Sequence, residues 1–282
     1  MKIYIVIPAH NEAEYIGYTL ASLANQTYPP EKIVVVDDQS NDATPDIVLE
    51  FSLNYPIVSL ISITSTEAHL PGSKVIRAFN EGLKTLDDDY DIICKFDADL
   101  IFPDNYLEKI VDLFKASSKI GMAGGFCSIQ KDSNWVLENL TNKDHIRGAL
   151  KAYRKACFKD IEGLKPTMGW DTADELLAQF HGWELRTDQS LLVRHLKPTG
   201  STYNKASKYK QGEAFYRLRY GLLITLIASA KLAFRKKDLN LFLDYIAGYF
   251  MATKQAEPFL LTEEQGRFTR KLRWKKMLEK IF

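Results

Sequence analysis

The sequence contains little cysteine. Its three cysteines, Cys94, Cys127 and Cys157, are far apart and include no C-x-x-C pair. This pattern argues against a zinc-binding module or a disulfide framework, and it is typical of thiols that stay reduced in the cytoplasm. Two nucleotide-binding motifs are also missing, since neither G-x-G-x-x-G after the first apolar run nor G-x-x-x-x-G-K-[ST] occurs. A dinucleotide-dependent dehydrogenase and a P-loop NTPase are therefore disfavoured.

Long hydrophobic runs are absent as well. The longest apolar stretch, from Gly221 to Phe234, contains Lys231 and falls short of the roughly 20 residues that span a bilayer. The first apolar run stops at Pro8, which is too early for a secretory signal peptide. We therefore expect a cytoplasmic protein, either free or peripheral on the inner face of the membrane.

The charge is distributed unevenly, although the net charge of the chain is only +1. Residues 205–282 hold 17 Lys and Arg against 7 Asp and Glu, whereas the preceding residues hold 20 against 29. Apolar residues recur at helical spacing in this basic region, and the segment Arg267–Met277 mixes cations with Phe, Leu, Trp and Met. We expect an α/β domain over 1–204 and a basic amphipathic helical region over 205–282.

Strand and helix signals alternate through the first two hundred residues. The four clearest strand signals are Ile3–Ile7, Ile33–Val36, Ile57–Ile63 and Asp91–Phe96. Helix starts are indicated by Asn11, Thr44-Pro45, Ser73 and Pro103. This alternation predicts an α/β fold with a mostly parallel sheet flanked by helices. Ligands of such sheets bind beyond the carboxyl ends of the strands.

Polar clusters follow three of the predicted strands, at Pro8–Glu12, Asp37–Ser40 and Asp97–Asp99. Asp97 and Asp99 are two residues apart, so an extended backbone would point both carboxylates to one side. Paired carboxylates at this edge suit a hard divalent cation, Mg²⁺ or Mn²⁺, that also holds phosphate oxygens. A solvated Asp-x-Asp turn would explain the pair alone, but it would not explain the other two clusters.

The three clusters carry a family resemblance, which covers about residues 1–200. The segments Ile5–Glu12, Val35–Thr44 and Phe96–Asp99 resemble, in order and spacing, the opening strand, nucleotide-binding loop and D-x-D motif of family 2 glycosyltransferases. The resemblance implies the GT-A fold, a Rossmann-like sheet. It also implies transfer of a sugar from a nucleoside-diphosphate donor to a hydroxyl of a saccharide or lipid-linked acceptor, with inversion.

The same resemblance assigns roles to individual residues. Asp99 would hold the metal, assisted by Asp97, which would contact ribose or metal, and by His195. The residues that would contact the donor nucleotide or its diphosphate are Pro8, Ala9, Glu12, Asp37, Asp38 and Arg77. Asp37 and Asp38 would accept hydrogen bonds from the base or ribose, and the guanidinium of Arg77 would grip the nucleotide or its diphosphate.

The general base is expected near the start of a helix in Met168–Leu176. The resemblance aligns Asp171 with the catalytic Asp of the family, while Trp170 replaces the usual Glu. Asp171, Asp174 and Glu175 are spaced to share one helical face, so Asp174 remains an alternative base.

Two other functions remain open at this point. A nucleotidyltransferase that makes sugar nucleotides is disfavoured, because Pro8–Glu12 occupies the place of its usual Gly-rich loop. An inactive module that only binds sugar nucleotides stays possible because of Trp170. The basic C-terminal region suits an anionic membrane surface or a set of packed helices. No nucleic-acid-binding module is recognisable, so no nucleic-acid partner is expected.

Overall fold

The structure is a computed structural model that describes residues 1–65, 72–138, 144–197 and 209–279. In these residues, strands and helices alternate as far as the fourth strand, as the sequence predicted. The proposed boundary between residues 204 and 205 lies outside the described residues, so the division into two regions stays a prediction.

One mixed sheet organises the described part of the chain. Its strands are Ile3–Ala9 (β1), Lys32–Asp38 (β2), Val58–Ile63 (β3), Ile92–Phe96 (β4), Leu100–Ile101 (β5), Ile120–Lys131 (β6), Asn134–Leu137 (β7), Leu150–Arg154 (β8) and Glu184–His195 (β9). Their order is β3-β2-β1-β4-β8-β6-β9-β5, with β7 paired to β6. The first four positions are mutually parallel, and β8 then runs antiparallel to β4 and β6.

Helices cover both faces of this sheet, and further helices follow β9 along the chain. They are Ile16–Ala24 (α1), Thr44–Asn54 (α2), Ser73–Lys84 (α3), Tyr106–Ala116 (α4), Lys155–Asp160 (α5), Trp170–Phe180 (α6), Lys210–Arg217 (α7), Gly221–Arg235 (α8), Asn240–Lys254 (α9) and Glu263–Leu278 (α10). None of the helices in the described ranges is long and apolar enough to cross a bilayer.

Alternation along the buried strands divides the core into two layers. Ile5 of β1 packs in one layer with residues of α1, α2 and α4. Its neighbour Val6 points to the other face and packs with residues of α3, α6 and α7. Because both faces are covered, β1, β2 and β4 are apolar almost throughout. The predicted α/β fold class is confirmed, and the helical C-terminal region is present.

Two predicted helix starts are wrong by several residues. Asn11 does not cap α1, because its φ of 54° lies in the left-handed region and the helix begins at Ile16. The helix expected at Pro103 begins at Tyr106, after Asn105. In both places the extra residues form a loop at the sheet edge. Strands β5, β6, β7 and β8 were not predicted: β5 and β7 span only two and four residues, and β6 contains three glycines, which weaken its strand signal.

The C-terminal helices pack on each other and on α6. Phe268 of α10 meets Phe180 of α6 with ring centroids 5.6 Å apart. Arg217 of α7 donates a hydrogen bond of 2.6 Å to the hydroxyl of Thr167, just before α6. The closest approach is between α7 and α9, where Gly212 and Gly248 let the two backbones touch. This region is therefore packed against the helix that carries Asp171.

We predict that Gly212→Ala strongly destabilises the packing of α7 on α9. A Cβ at Gly212 would overlap the backbone carbonyl of Tyr245, so the helices would have to separate. Gly17→Ala is the matched control, because a Cβ there would lie 3.8 Å from Ile47 and alanine favours a helix by about 1 kcal/mol. Denaturant unfolding should show a loss of about 2 kcal/mol or more for the first variant only. Equal stability of the two variants would contradict the close contact.

Candidate active site

The carboxyl ends of β1, β2 and β4 lie side by side at one edge of the sheet. In the parallel register Ala9 of β1 pairs with Asp37 of β2, and Asp38 pairs with Ile63 of β3. Asp97 follows directly after β4, which is parallel to β1. The three polar clusters found in the sequence are therefore neighbours in space, and Pro8 lies at the same end of β1.

Asp37 and Asp38 are both buried at this edge. Asp38 Oδ1 accepts a hydrogen bond of 3.1 Å from the backbone N–H of Ser65. Asp37 Oδ2 accepts one of 3.4 Å from the backbone N–H of Ser40, whereas its Oδ1 is buried without a hydrogen-bond partner among the described residues. A buried carboxylate oxygen is costly to leave unpaired, so Asp37 is suited to accept a hydrogen bond from a ligand.

Glu12 closes one side of the edge. Its backbone N–H donates to the hydroxyl of Thr44 at 2.8 Å, and its carboxylate pairs with Lys197 at 2.5 Å. Burial raises the pKa of Glu12, and the nearby Asp97 and Asp99 raise it further, while Lys197 opposes them. Four charged groups therefore share a small volume here, which favours binding of a cation.

The Asp97-Ala98-Asp99 segment links β4 to β5 and does not lie within a strand. The expectation that strand alternation would align the two carboxylates is therefore wrong. Both carboxylates are nevertheless close enough to Glu12 to raise its pKa. Lys95 is almost completely buried in β4, and its ammonium group pairs with Asp97 Oδ1. Burial raises the pKa of Asp97, but the charge and hydrogen bond of Lys95 outweigh burial and hold that pKa below its usual range.

His195 reaches the same place from the end of β9. Strand pairing sets His195 opposite Leu100, next to Asp99. The imidazole Nε2 lies 3.3 Å from Asp99 Oδ2, and Nδ1 lies 3.6 Å from the carboxylate of Glu138. A carboxylate on the far nitrogen is the usual way in which proteins orient an imidazole ligand. His195 therefore presents Nε2 to the side of Asp99.

A second set of potential ligands lies behind His195. The ligand atoms of Cys127, Glu138 and His195 are all within 4.8 Å of one another. Glu138, however, is paired with Arg147, and burial raises the pKa of Cys127 to about 12. Because Arg147 already holds the carboxylate of Glu138, we interpret this set as the support of His195 rather than a separate metal site.

The start of α6 forms the opposite wall. The indole of Trp170 is buried, with the ammonium groups of Lys95 and Lys151 at 5.4 Å and 5.5 Å from its ring centroid. A Cβ at Gly148 would lie only 2.8 Å from this ring, so the absence of a side chain there makes room for it. Where the family pattern has an acidic residue, Trp170 thus places an aromatic ring close to two lysines. The ring is next to Asp171 in sequence and contacts Lys95, the partner of Asp97.

Lys151 organises the acidic face of α6. This side chain is fully buried in β8, and its ammonium group donates to both oxygens of Asp174 at 2.8 Å and to the backbone carbonyl of Asp171. Glu175 lies 3.4 Å away, and Tyr153 donates a hydrogen bond of 2.6 Å to Asp174. The face predicted from the spacing is present, but two of its three carboxylates are turned into the protein.

Asp171 is the accessible member of this acidic group. Its side chain is 36% exposed, against 2% for Asp174 and 9% for Glu175. Only a carboxylate that solvent and substrate can reach is able to take a proton from a bound hydroxyl group. This observation favours Asp171 over Asp174 as the base.

His145 joins Asp171 to the buried group. Its Nδ1 lies 3.0 Å from the carboxylate of Glu175 and its Nε2 lies 3.7 Å from that of Asp171. Burial lowers the pKa of His145, but the two carboxylates raise it to about 10. Burial in turn raises the pKa of Asp171, and His145 lowers it to about 2. Asp171 is therefore ionised at any pH near neutrality.

Arg77 lies in the second turn of α3 and is half-buried. The residue before this helix, Gly72, adjoins the ring of Trp170, so α3 and α6 begin next to each other. Sequence reasoning missed four residues that shape the site, namely Lys95, Lys151, His145 and Glu138. The one available signal was a lysine inside an apolar strand, because a buried lysine requires a charged partner.

The site can be compared with known proteins. Residues 4–161, more than half of the chain, match the family model described as Glycosyl transferase family 2. A probable glycosyltransferase, YdaM of Bacillus subtilis, is 38% identical over 100 residues, which are 35% of this chain and 23% of YdaM. The dolichol-phosphate mannosyltransferase of Pyrococcus furiosus is 31% identical over 136 residues, 48% of this chain and 36% of that protein. The matched part thus spans about a quarter to a third of these relatives.

Solved structures share the fold at low sequence identity. A mannosyltransferase from Pyrobaculum calidifontis, in complex with GDP-Man and Mn²⁺, has a TM-score of 0.60 and 16% identity, covering 100% of this chain and 81% of its own. TarS 1-349 of S. aureus in complex with UDP-GlcNAc has a TM-score of 0.58 and 20% identity, covering 80% and 66%. The family match shows that this chain belongs to glycosyl transferase family 2, and the solved structures show that it shares their GT-A fold, as the sequence indicated.

Proposed function

We propose that the protein transfers a sugar from a nucleoside-diphosphate sugar to a hydroxyl group of a saccharide or lipid-linked acceptor, with inversion at the sugar carbon. The observation that supports this best is the meeting of Asp99 and His195, which are 96 positions apart in sequence and 3.3 Å apart in space, at the sheet edge where Asp37 keeps an oxygen without a hydrogen-bond partner among the described residues. Nucleotide sugars occupy the two solved structures described above, GDP-Man in one and UDP-GlcNAc in the other.

The donor nucleotide would bind across the ends of β1 and β2. The free Oδ1 of Asp37 is placed to accept a hydrogen bond from the base or the ribose, and Asp38 is fixed beside it by Ser65. Pro8 and Ala9 would line the base at the end of the adjacent strand. Arg77 would approach the diphosphate from α3, where a guanidinium can make two parallel hydrogen bonds.

The side chains at this edge fit a divalent cation. Asp99 offers a carboxylate oxygen and His195 an imidazole nitrogen, while Asp97 keeps one oxygen beyond the one that Lys95 holds. Such a set suits Mg²⁺ or Mn²⁺, and Mn²⁺ accompanies the nucleotide sugar in the neighbour from Pyrobaculum calidifontis. When bound, the cation would offset the negative charge that gathers on the departing diphosphate. Lys95 contributes a permanent positive charge close to the same place.

Asp171 would act as the general base for the attacking hydroxyl group. It is the exposed carboxylate of α6, and His145 keeps it ionised and oriented. A single base on the acceptor side corresponds to one direct displacement, which inverts the configuration of the sugar carbon. The burial of Asp174 and Glu175 leaves them to hold Lys151 and His145 in position.

The acceptor class rests on the relatives. One relative is the poly-beta-1,6-N-acetyl-D-glucosamine synthase of Staphylococcus epidermidis, 28% identical over 133 residues. Another is the dolichol-phosphate mannosyltransferase of Pyrococcus furiosus, whose name includes a lipid phosphate. These names support a saccharide acceptor and a lipid-linked acceptor respectively, and we retain both.

We predict that Asp99→Ala abolishes sugar transfer and that EDTA does the same to the unaltered protein. The reason is the loss of a carboxylate ligand in the first case and of the cation in the second. Turnover of a panel of nucleotide sugars, followed as nucleoside diphosphate release, measures both. The control is Asp112→Ala, which removes an exposed carboxylate on α4 and should leave turnover unchanged. Full activity of Asp99→Ala, or in EDTA, would exclude the metal assignment.

For Asp171 we predict that Asp171→Asn lowers kcat by roughly 10²–10⁴ with little change in donor affinity or in melting temperature. Asp174→Asn should instead lower the melting temperature, because it removes a charge that Lys151 requires inside the protein. If Asp174→Asn or Glu175→Gln shows the selective loss of kcat with normal stability, the base is misassigned. If no variant matters because donor turnover is absent altogether, the protein is a binding module.

The contact between His145 and Asp171 predicts a change in the pH profile. His145⁺ lowers the pKa of Asp171, so His145→Gln should raise that pKa and move the acid limb of kcat/KM upward by about one pH unit or more. His181→Gln, on the exposed end of α6, is the control and should leave the profile in place. An acid limb that does not move would show that His145 does not act on the base.

A further inference from the structure

Helix α8 carries apolar side chains on its outer face as well as on the face that packs on the core. The buried face includes Ile224 and Ala233, whereas Leu223, Ile227 and Phe234 are exposed. These exposed residues are spaced by four and seven positions, so they form one stripe along the helix. The hydrophobic effect disfavours an apolar stripe that stays in contact with water. An outward apolar stripe therefore indicates that something apolar covers it.

Helix α9 repeats this pattern. Leu239, Leu243 and Phe250 are exposed and spaced by four and seven positions. The two stripes approach each other at the link between the helices, where Phe234 is 81% exposed and Leu239 is 79% exposed. We name Leu223, Ile227, Phe234, Leu239, Leu243 and Phe250 the hairpin surface.

Exposed apolar side chains are concentrated in this part of the chain. Of 18 large hydrophobic side chains exposed among the described residues, 12 lie in residues 209–279. Scattered exposed leucines are ordinary, but a concentrated group of this kind marks an interaction site. The tip of the hairpin is also basic, because the exposed Lys236 and Lys237 lie between Phe234 and Leu239 in the chain.

We propose that the hairpin surface docks on an anionic lipid membrane. Apolar side chains at the tip would enter the interface between headgroups and acyl chains, and Lys236 and Lys237 beside them would meet the lipid phosphates. The inference does not depend on the proposed function, because it rests on residues that take no part in the candidate active site.

A second copy of this chain is a poorer occupant of the same surface. A symmetric dimer that pairs the two tips, where Phe234 and Leu239 are most exposed, would bring the cations beside them against their own copies. An anionic bilayer removes that repulsion and supplies an apolar phase at the same time. The charge of the tip therefore favours the membrane over self-association.

The hairpin suits a membrane better than the segment Arg267–Met277, which lies in α10 and also mixes cations with apolar residues. The cations of α10 are largely engaged with the protein, since Arg270 donates to the carbonyl of Arg219, Arg273 to the hydroxyl of Tyr220 and Lys276 to Asp144. The hairpin has an outward apolar face as well as its charges. It is also coupled to the candidate active site, because α7 packs on both α9 and the start of α6.

The test is flotation of the full chain with vesicles of phosphatidylglycerol and phosphatidylcholine, compared with vesicles of phosphatidylcholine alone. Binding should occur only to the anionic vesicles and should weaken in 1 M salt, where the Debye length shrinks to about 3 Å. The double variant Phe234→Ala/Leu239→Ala should lower the partition coefficient about tenfold or more. Lys236→Gln/Lys237→Gln should lower it about tenfold by loss of charge.

The matched control is Leu49→Ala/Leu53→Ala, which trims two exposed leucines of α2 and should leave binding unchanged. Melting temperatures should match in all three double variants, because the altered side chains are exposed. Absence of binding to anionic vesicles at low salt would overturn the proposal, as would equal losses in the control. A concentration-dependent dimer that Phe234→Ala/Leu239→Ala abolishes would assign the surface to a second copy instead. Donor turnover without vesicles is read separately, so failure here leaves the proposed function untouched.

Discussion

The candidate active site depends on the ion pair between the buried ammonium group of Lys151 and the carboxylate of Asp174. It joins β8 to α6 through Asp174 and thereby fixes how the first turn of α6 faces the sheet. A lysine with no solvent exposure is tolerated only when carboxylates surround it, and removal of one partner leaves an uncompensated buried charge. The accessible Asp171 and the orienting His145 both follow from this arrangement. The acidic face of this helix is thus divided into one accessible carboxylate and two buried ones.

The second constraint is the position of the strand ends. Parallel pairing of β1, β2 and β4 brings three loops to one edge, and β9 returns to add His195 from the far end of the domain. Trp170 packs against the ammonium groups of both Lys95 and Lys151, which are paired across β4 and β8. Each lysine serves its own carboxylates, Asp97 on one side and Asp174 on the other. The exchange of an acidic residue for Trp170 is therefore accompanied by two lysines that the family pattern did not suggest.

The sequence predicted those features that depend on local pattern. Strand periodicity located β1 to β4, and the polar residues after them identified Asp37, Asp38, Asp97 and Asp99 as neighbours. Spacing also placed Asp171 and Asp174 on one side of a helix. It could not tell which carboxylate is buried, because that depends on Lys151 from a strand 20 residues earlier. His145 had no ligand spacing to identify it, since its partners lie on α6. The exposed apolar stripe of α8 was likewise invisible, since spacing identifies an apolar stripe but not the side to which it faces.

The central claim is that this sheet edge binds a nucleoside diphosphate together with a divalent cation. Calorimetric titration of UDP, GDP, CDP and ADP into the protein with Mn²⁺, and again with EDTA, tests it most directly. The account predicts that at least one of these nucleotides binds at a single site, and about tenfold or more weaker without the cation. Absence of binding by every nucleotide, or equal affinity in EDTA, would contradict it.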